Sequence, residues 1–155
     1  MESIQQQDQM RKAAERFSEC VARKDVDAIL SCFSEDCVIE FLNVKLKGKH
    51  GVREWLKWLY SHMSELKFED NATVTEGYML FKESMLVGKL HNGIKMRSKQ
   101  AHIVVFDSDY MIRNFRYYFD RLDFVESGIN RIMAKSLRQT FDQRTLKHLA
   151  KYTRE

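Results

Sequence analysis

The chain contains no proline and only six glycines in 155 residues. Reversals of direction therefore fall to a few glycines and to asparagine and aspartate, whose short side chains stabilise turn conformations. Long apolar runs are also missing. Stretches such as Ile103 to Phe106 fall far below the roughly 20 residues that span a bilayer, so no membrane association is expected. The first residues, Met1 to Asp8, are polar and glutamine-rich rather than a signal peptide, which points to a cytoplasmic protein.

Cysteine is scarce, and its number is odd. Cys20 and Cys32 lie in apolar helical patterns and Cys37 follows shortly after, with no paired metal-ligand spacing. Reduced core thiols are the reading favoured over a disulfide or a nucleophile. His50, His62, His91 and His148 are scattered and match no convergent metal site, so neither a metal nor a cofactor is expected.

What is present is ordinary globular material, 44% hydrophobic and 31% charged, in a length typical of one domain. The net charge of +4 is unevenly placed. From Glu126 onward there are seven basic and three acidic residues, which leaves 19 of each sign before it. The main domain is neutral and the excess belongs to a terminal segment, so nucleic acid is not the expected partner.

Periodicity organises the chain. Met10, Ala13, Ala14, Phe17, Cys20 and Val21 recur at helical spacing up to Lys24. Asp25 can cap a short second helix using Val26, Ile29, Leu30 and Phe33, which Ser34-Glu35-Asp36 ends. Val38 to Leu46 reads as short extended segments. Gly48 and Gly51 precede a third helix with Val52, Trp55, Leu59 and Met63 on its apolar face. From Ala72 the period becomes that of strands: Thr73 to Thr75, Tyr78 to Leu90, Ile94 to Phe106 and Met111 to Phe124. Asn92-Gly93 is a strong hairpin signal, and Asp107-Ser108-Asp109 is a second turn. The expected fold is α+β, a long antiparallel meander packed on three N-terminal helices. Residues 1-125 form the domain; residues 126-155 form a basic amphipathic helical extension, which could pack on the domain, close a pocket or meet an acidic partner.

The order of these elements resembles the nuclear transport factor 2-like superfamily, in its SnoaL-like and limonene epoxide hydrolase-like branch. The resemblance rests on Lys24 to Val38, on Gly48 to Trp55 and on Phe115-Arg116-Tyr117-Tyr118-Phe119-Asp120, and it covers about Met10 to Phe124. It implies a cone-shaped, cystatin-like fold with a deep apolar pocket, often in a dimer. It also implies positions for catalytic groups, and there this chain departs. The hydrolase's tyrosine and asparagine fall on Phe41 and Asn43, its arginine and aspartate on Gln100 and His102, and its last aspartate on Tyr117. The ketosteroid isomerase base falls on Phe41, its oxyanion tyrosine on Phe17 and its protonated aspartate on His102. Those known routes are therefore not expected.

Strand parity suggests what replaces them. Gln100, His102, Val104 and Phe106 share one face, as do Phe115, Tyr117 and Phe119. His102 is the expected general base or acid, with Tyr117 polarising an oxygen. Asn43 and Gln100 would position the ligand. Phe17, Phe41, Trp55, Phe115 and Phe119 would wall the pocket, favouring a small, largely apolar molecule. Competing readings are a purely structural histidine and a plain aromatic core. Glu40, Arg116, Tyr118 and Asp120 fall on the opposite face, where a homodimer through the sheet is expected. The function implied is a cofactor-independent isomerase, cyclase or hydratase, with a non-catalytic binding or protein-interaction module as the alternative.

Overall fold

A computed structural model describes residues 4–120, together with Asp123, Gln139, Gln143 and Arg144. The chain divides into two units, Met1–Asp120 and Arg121–Glu155. The second is described only at those last four residues, so the helical extension expected over 126–155 lies, apart from Gln139, Gln143 and Arg144, outside the described residues.

The first unit runs α1 (Ile4–Arg23), α2 (Val26–Ser31), β1 (Phe33–Phe41), β2 (Val44–Lys47), α3 (Gly48–His62), β3 (Met63–Glu76), β4 (Met79–Leu90), β5 (Lys95–Phe106) and β6 (Ile112–Phe119). Its six strands form one curved sheet in the order β2-β1-β6-β5-β4-β3. The α+β architecture is as the sequence implies, with one difference in the sheet. The first strand, β1, pairs in parallel with the last, β6, matching Ile39 to Phe115 and Glu40 to Arg116; every other pairing is antiparallel. Among the described residues no helix is long and apolar enough to cross a membrane.

The helices bury one stripe each. On α1 it is Met10, Ala14, Phe17, Cys20 and Val21; on α3 it is Val52, Trp55, Leu56 and Leu59. Helix α1 ends at Lys24 in the left-handed region (φ 60°), with the Asp25 amide donating to the Cys20 carbonyl at 3.1 Å and the Lys24 amide to Val21 at 3.2 Å. That is the double hydrogen bond of a Schellman cap, where glycine is usual. Lysine is held there because its ammonium donates to the Met63 and Ser64 carbonyls, at 3.0 and 2.8 Å. Asp25 caps α2 as expected, its carboxylate accepting from the Ala28 amide at 3.1 Å.

Other boundaries move. Gly48 and Gly51 lie inside α3 rather than before it, and a Cβ on Gly51 would come within 2.7 Å of the Leu46 carbonyl carbon. Glycine is what lets α3 lie against β2. Strand β1 already begins at Phe33, so Ser34-Glu35-Asp36 belongs to an irregular stretch of β1. Strand β3 begins at Met63, directly after α3 and well before Ala72. The Asn92-Gly93 hairpin forms with three residues between Leu90 and Ile94. The Gly93 amide donates to the Leu90 carbonyl at 2.9 Å and Gly93 takes φ 85°.

Candidate functional site

One face of the sheet is covered by the helices, and alternation decides what it presents. From β4 come Leu80, Lys82, Ser84 and Leu86; from β5 Met96, Ser98, Gln100, His102, Val104 and Phe106; from β6 Phe115 and Tyr117. All are buried. The register lines up Lys82 with His102 and His102 with Tyr117, so these three stand side by side across β4, β5 and β6. Beside them, Ser84 faces Gln100 and Gln100 faces Phe119.

Rings enclose these polar groups. The His102 ring lies 5.1 Å from that of Tyr117, 5.5 Å from Phe115 and 5.4 Å from Phe68. Phe17 from α1 and Trp55 from α3 close over Phe115 at 5.3 and 5.5 Å, and Trp55 stands 6.3 Å from Tyr117. The Phe119 ring lies tilted beside that of Tyr117 at 4.9 Å. Phe41 contacts Trp58 at 5.0 Å, and Trp58 in turn contacts Phe119 at 5.7 Å. The structure thus brings together His102, Tyr117, Gln100, Phe17, Trp55, Phe115 and Phe119, with Phe41 joined through Trp58.

Asn43 is not among them. It occupies the two-residue turn between Phe41 and Val44, is exposed, and like Leu42 has positive φ (63° and 51°). Two consecutive left-handed residues make a type I′ hairpin turn, a conformation asparagine tolerates better than most. The structure therefore gives Asn43 a conformational role in the turn and does not bring it to the other expected site residues. Glu40, read as outward, accepts from the Asn114 amide at 3.1 Å on the far face of the sheet.

Sequence reasoning misses Lys82, Ser84 and Ser98. The signal is present: within Tyr78 to Leu90, Lys82 and Ser84 alternate in phase with Leu80 and Leu86. The Lys82 ammonium lies 2.8 Å from an Asp70 carboxylate oxygen and donates to the Ser18 hydroxyl at 3.2 Å. The Gln100 amide donates to Ser98 Oγ at 2.9 Å.

Trp55 Nε1, Ser84 Oγ, Gln100 Oε1, His102 Nε2 and the Tyr117 hydroxyl are buried without a hydrogen-bond partner among the described residues, as are Asn114 Oδ1 and Arg116 Nε on the other side of the sheet. Buried polar atoms in folded proteins are ordinarily paired, so five such atoms on the helix-covered side call for an explanation. Burial, reinforced by the Lys82 charge, pushes the His102 pKa down to about 3. Burial raises the Tyr117 phenol well above its usual range, offset slightly by the nearby Gln100 side chain, whose amide nitrogen nevertheless serves Ser98. Near pH 7 both groups are neutral. They can hydrogen-bond an oxygen, and in these surroundings the His102 imidazole is held in its uncharged form. A separate groove of about 680 Å³ lies at Glu65–Lys67, Val87–Lys89 and Lys95–Arg97 and includes none of these residues.

The family model of the SnoaL-like domain matches residues 14–114. No curated protein matches the chain. Solved structures share its fold at low identity. A nuclear transport factor 2-like protein of unknown function from Burkholderia pseudomallei is 15% identical, with a TM-score of 0.69 over 77% of this chain and 96% of that one. TerC, co-crystallised with polyporic acid, is 15% identical, with a TM-score of 0.68 over 77% and 97%. An LEH-like epoxide hydrolase from M. tuberculosis is 16% identical, with a TM-score of 0.65 over 84% and 96%.

Proposed function

The chain belongs to the SnoaL-like domain family, and from that footing we propose that it binds a small, largely apolar molecule against the helix-covered face of its sheet. Tyr117 and His102 hydrogen-bond an oxygen of that molecule. Bound there, it is a candidate for isomerisation, cyclisation or hydration without a cofactor. One observation carries this reading: five of the seven buried polar atoms without partners among the described residues, four on β4–β6 and one on α3, lie on the side where helices cover the sheet, among aromatic rings. A ligand oxygen supplies the hydrogen bonds that the fold withholds, while the rings of Phe17, Trp55, Phe115 and Phe119 contact its apolar body. The fold precedent agrees, since TerC was crystallised with a small organic acid.

The two groups have neutral roles. A phenol donates to a carbonyl or enol oxygen, and an uncharged imidazole donates or accepts according to its tautomer. A thermal-shift screen of polyketide-like, terpene-like and steroid-like compounds tests the proposal, because a specific ligand raises stability by mass action. Hits should be weakened by His102→Ala and by Tyr117→Phe. If both variants retain full ligand affinity and turnover, the assignment is wrong.

A second reading concerns the opposite face. Val74, Met79 and Phe81 are exposed there, Val74 pairs with Phe81, and Phe81 faces Ile103 across β4 and β5. This apolar strip, continued by exposed Tyr78, suits association of two copies through their sheets. Sedimentation should show a dimer that Phe81→Asp dissociates. A monomer at all concentrations would refute it.

A further inference from the structure

Lys82 is the one formally charged side chain among the buried described residues. The other buried polar side chains there, Ser84, Ser98, Gln100 and His102, are uncharged, and no carboxylate is buried with them. Isolated charges are rarely taken out of water without compensation. Asp70 provides some at 2.8 Å, yet its side chain is 44% exposed against 4% for Lys82, so much of its countercharge is spent on solvent. Ser18 adds one neutral contact, from α1. On its other flank the strand register sets Lys82 opposite His102, and His102 opposite Tyr117. The row thus presents a cation followed by two neutral groups able to donate, with the orphaned Nε2 and hydroxyl still open.

Building on the small-molecule site proposed above, we infer that this site selects an organic acid and holds it as its anion, with Lys82 as the charge-selecting residue. The ligand is a carboxylate, phenolate or enolate on an apolar, ring-sized body. Its oxyanion completes the compensation of the ammonium while Tyr117 donates to the same group. The field of Lys82 reaches this far: together with burial it keeps the adjacent imidazole uncharged. An anion gains more from a buried cation than from one in water, because the surrounding rings screen poorly. Asp70 competes with the anion for the ammonium and is the built-in limit on its affinity. A merely structural Lys82, tying α1 to β3 and β4 through Ser18 and Asp70, would hold the fold together and show no preference for ligand charge.

The test is calorimetric titration of the full chain with two probes of equal shape, 2-naphthoate and 2-naphthamide. The anion should bind about tenfold more tightly than the amide. Lys82→Met should abolish that difference, whereas Asp70→Asn, which removes the competing carboxylate, should widen it. Equal affinity for the two probes in the unaltered protein, or a preference that survives Lys82→Met, overturns the inference and leaves the binding site standing. Binding of neither probe overturns both. Should Lys82→Met fail to fold, Asp70→Asn decides alone, and an unchanged preference then counts against the inference.

Discussion

His102 and Tyr117 are direct cross-strand partners whose rings lie 5.1 Å apart, and the polar tip of each is buried without a hydrogen-bond partner among the described residues. A fold tuned only for stability would fill such a position with two apolar side chains. Testable consequences follow for stability as well as for binding.

The first concerns pH. His102 titrates near 3 in the folded protein, against the ordinary value of 6.5, because burial and then Lys82 oppose the charged form. Lys82 faces it from β4 and the neutral Tyr117 from β6. Between those values the unfolded chain takes up a proton that the folded one refuses. The contribution is therefore whole above about pH 6.5 and declines as the pH falls toward 3, by up to about 1.4 kcal/mol per pH unit. Urea unfolding from pH 7 to pH 4.5 should show this slope, and His102→Gln should flatten it. An identical slope in the variant would contradict the assignment.

Tyr117→Phe should not weaken the protein in the absence of added ligand. The hydroxyl is desolvated and unpaired among the described residues, so its removal relieves a penalty and leaves the ring contacts with Phe115 and Phe119 intact. A gain of about 1 kcal/mol is expected in chemical denaturation. A loss of similar size would mean that the phenol already has a partner in the folded state.

Gly51→Ala runs against the usual helix rule. Alanine inside a helix is normally better than glycine by about 1 kcal/mol. Here the added carbon would approach the Leu46 carbonyl carbon to 2.7 Å, and that backbone belongs to β2. Destabilisation of about 1–3 kcal/mol, as for overpacking, should appear as a lower Tm.

Asn43 offers a negative control for ligand binding. Since its backbone is left-handed and its side chain exposed, Asn43→Gly should keep both stability and ligand affinity. A tenfold loss of affinity would support the ligand-positioning role expected of it.

Much of the architecture is legible in the order of residues alone. The stripes on α1 and α3, the Asp25 cap, the hairpin at Asn92-Gly93 and the parity of β5 and β6 all follow from residue type and spacing, and the same parity picks out His102, Gln100 and Tyr117. What escapes has physical causes. The start of β3 carries Glu65, Lys67, Glu69 and Asp70, charges that an edge strand accepts but that blur any strand period, so Met63 reads as the end of a helix. The parallel pairing of β1 with β6 has no local signature. A lysine such as Lys82 reads as solvent-facing until its partner is known, and Asp70 comes from a different strand. The demand at Asn43 is a backbone angle, which a match of residue type to a catalytic pattern does not reveal.

That parallel pairing also sets a sequence of events for the growing chain. Val38 pairs with Lys47 on β2 and, on its other side, with Asn114 on the last strand in the chain. The β1–β2 hairpin must therefore wait through synthesis of three long antiparallel strands before its second edge is covered, and contacts of such long range are slow to form. The row of Lys82, His102 and Tyr117 is not assembled until that final docking, so a nascent chain stalled before β6 lacks the strand that carries Tyr117.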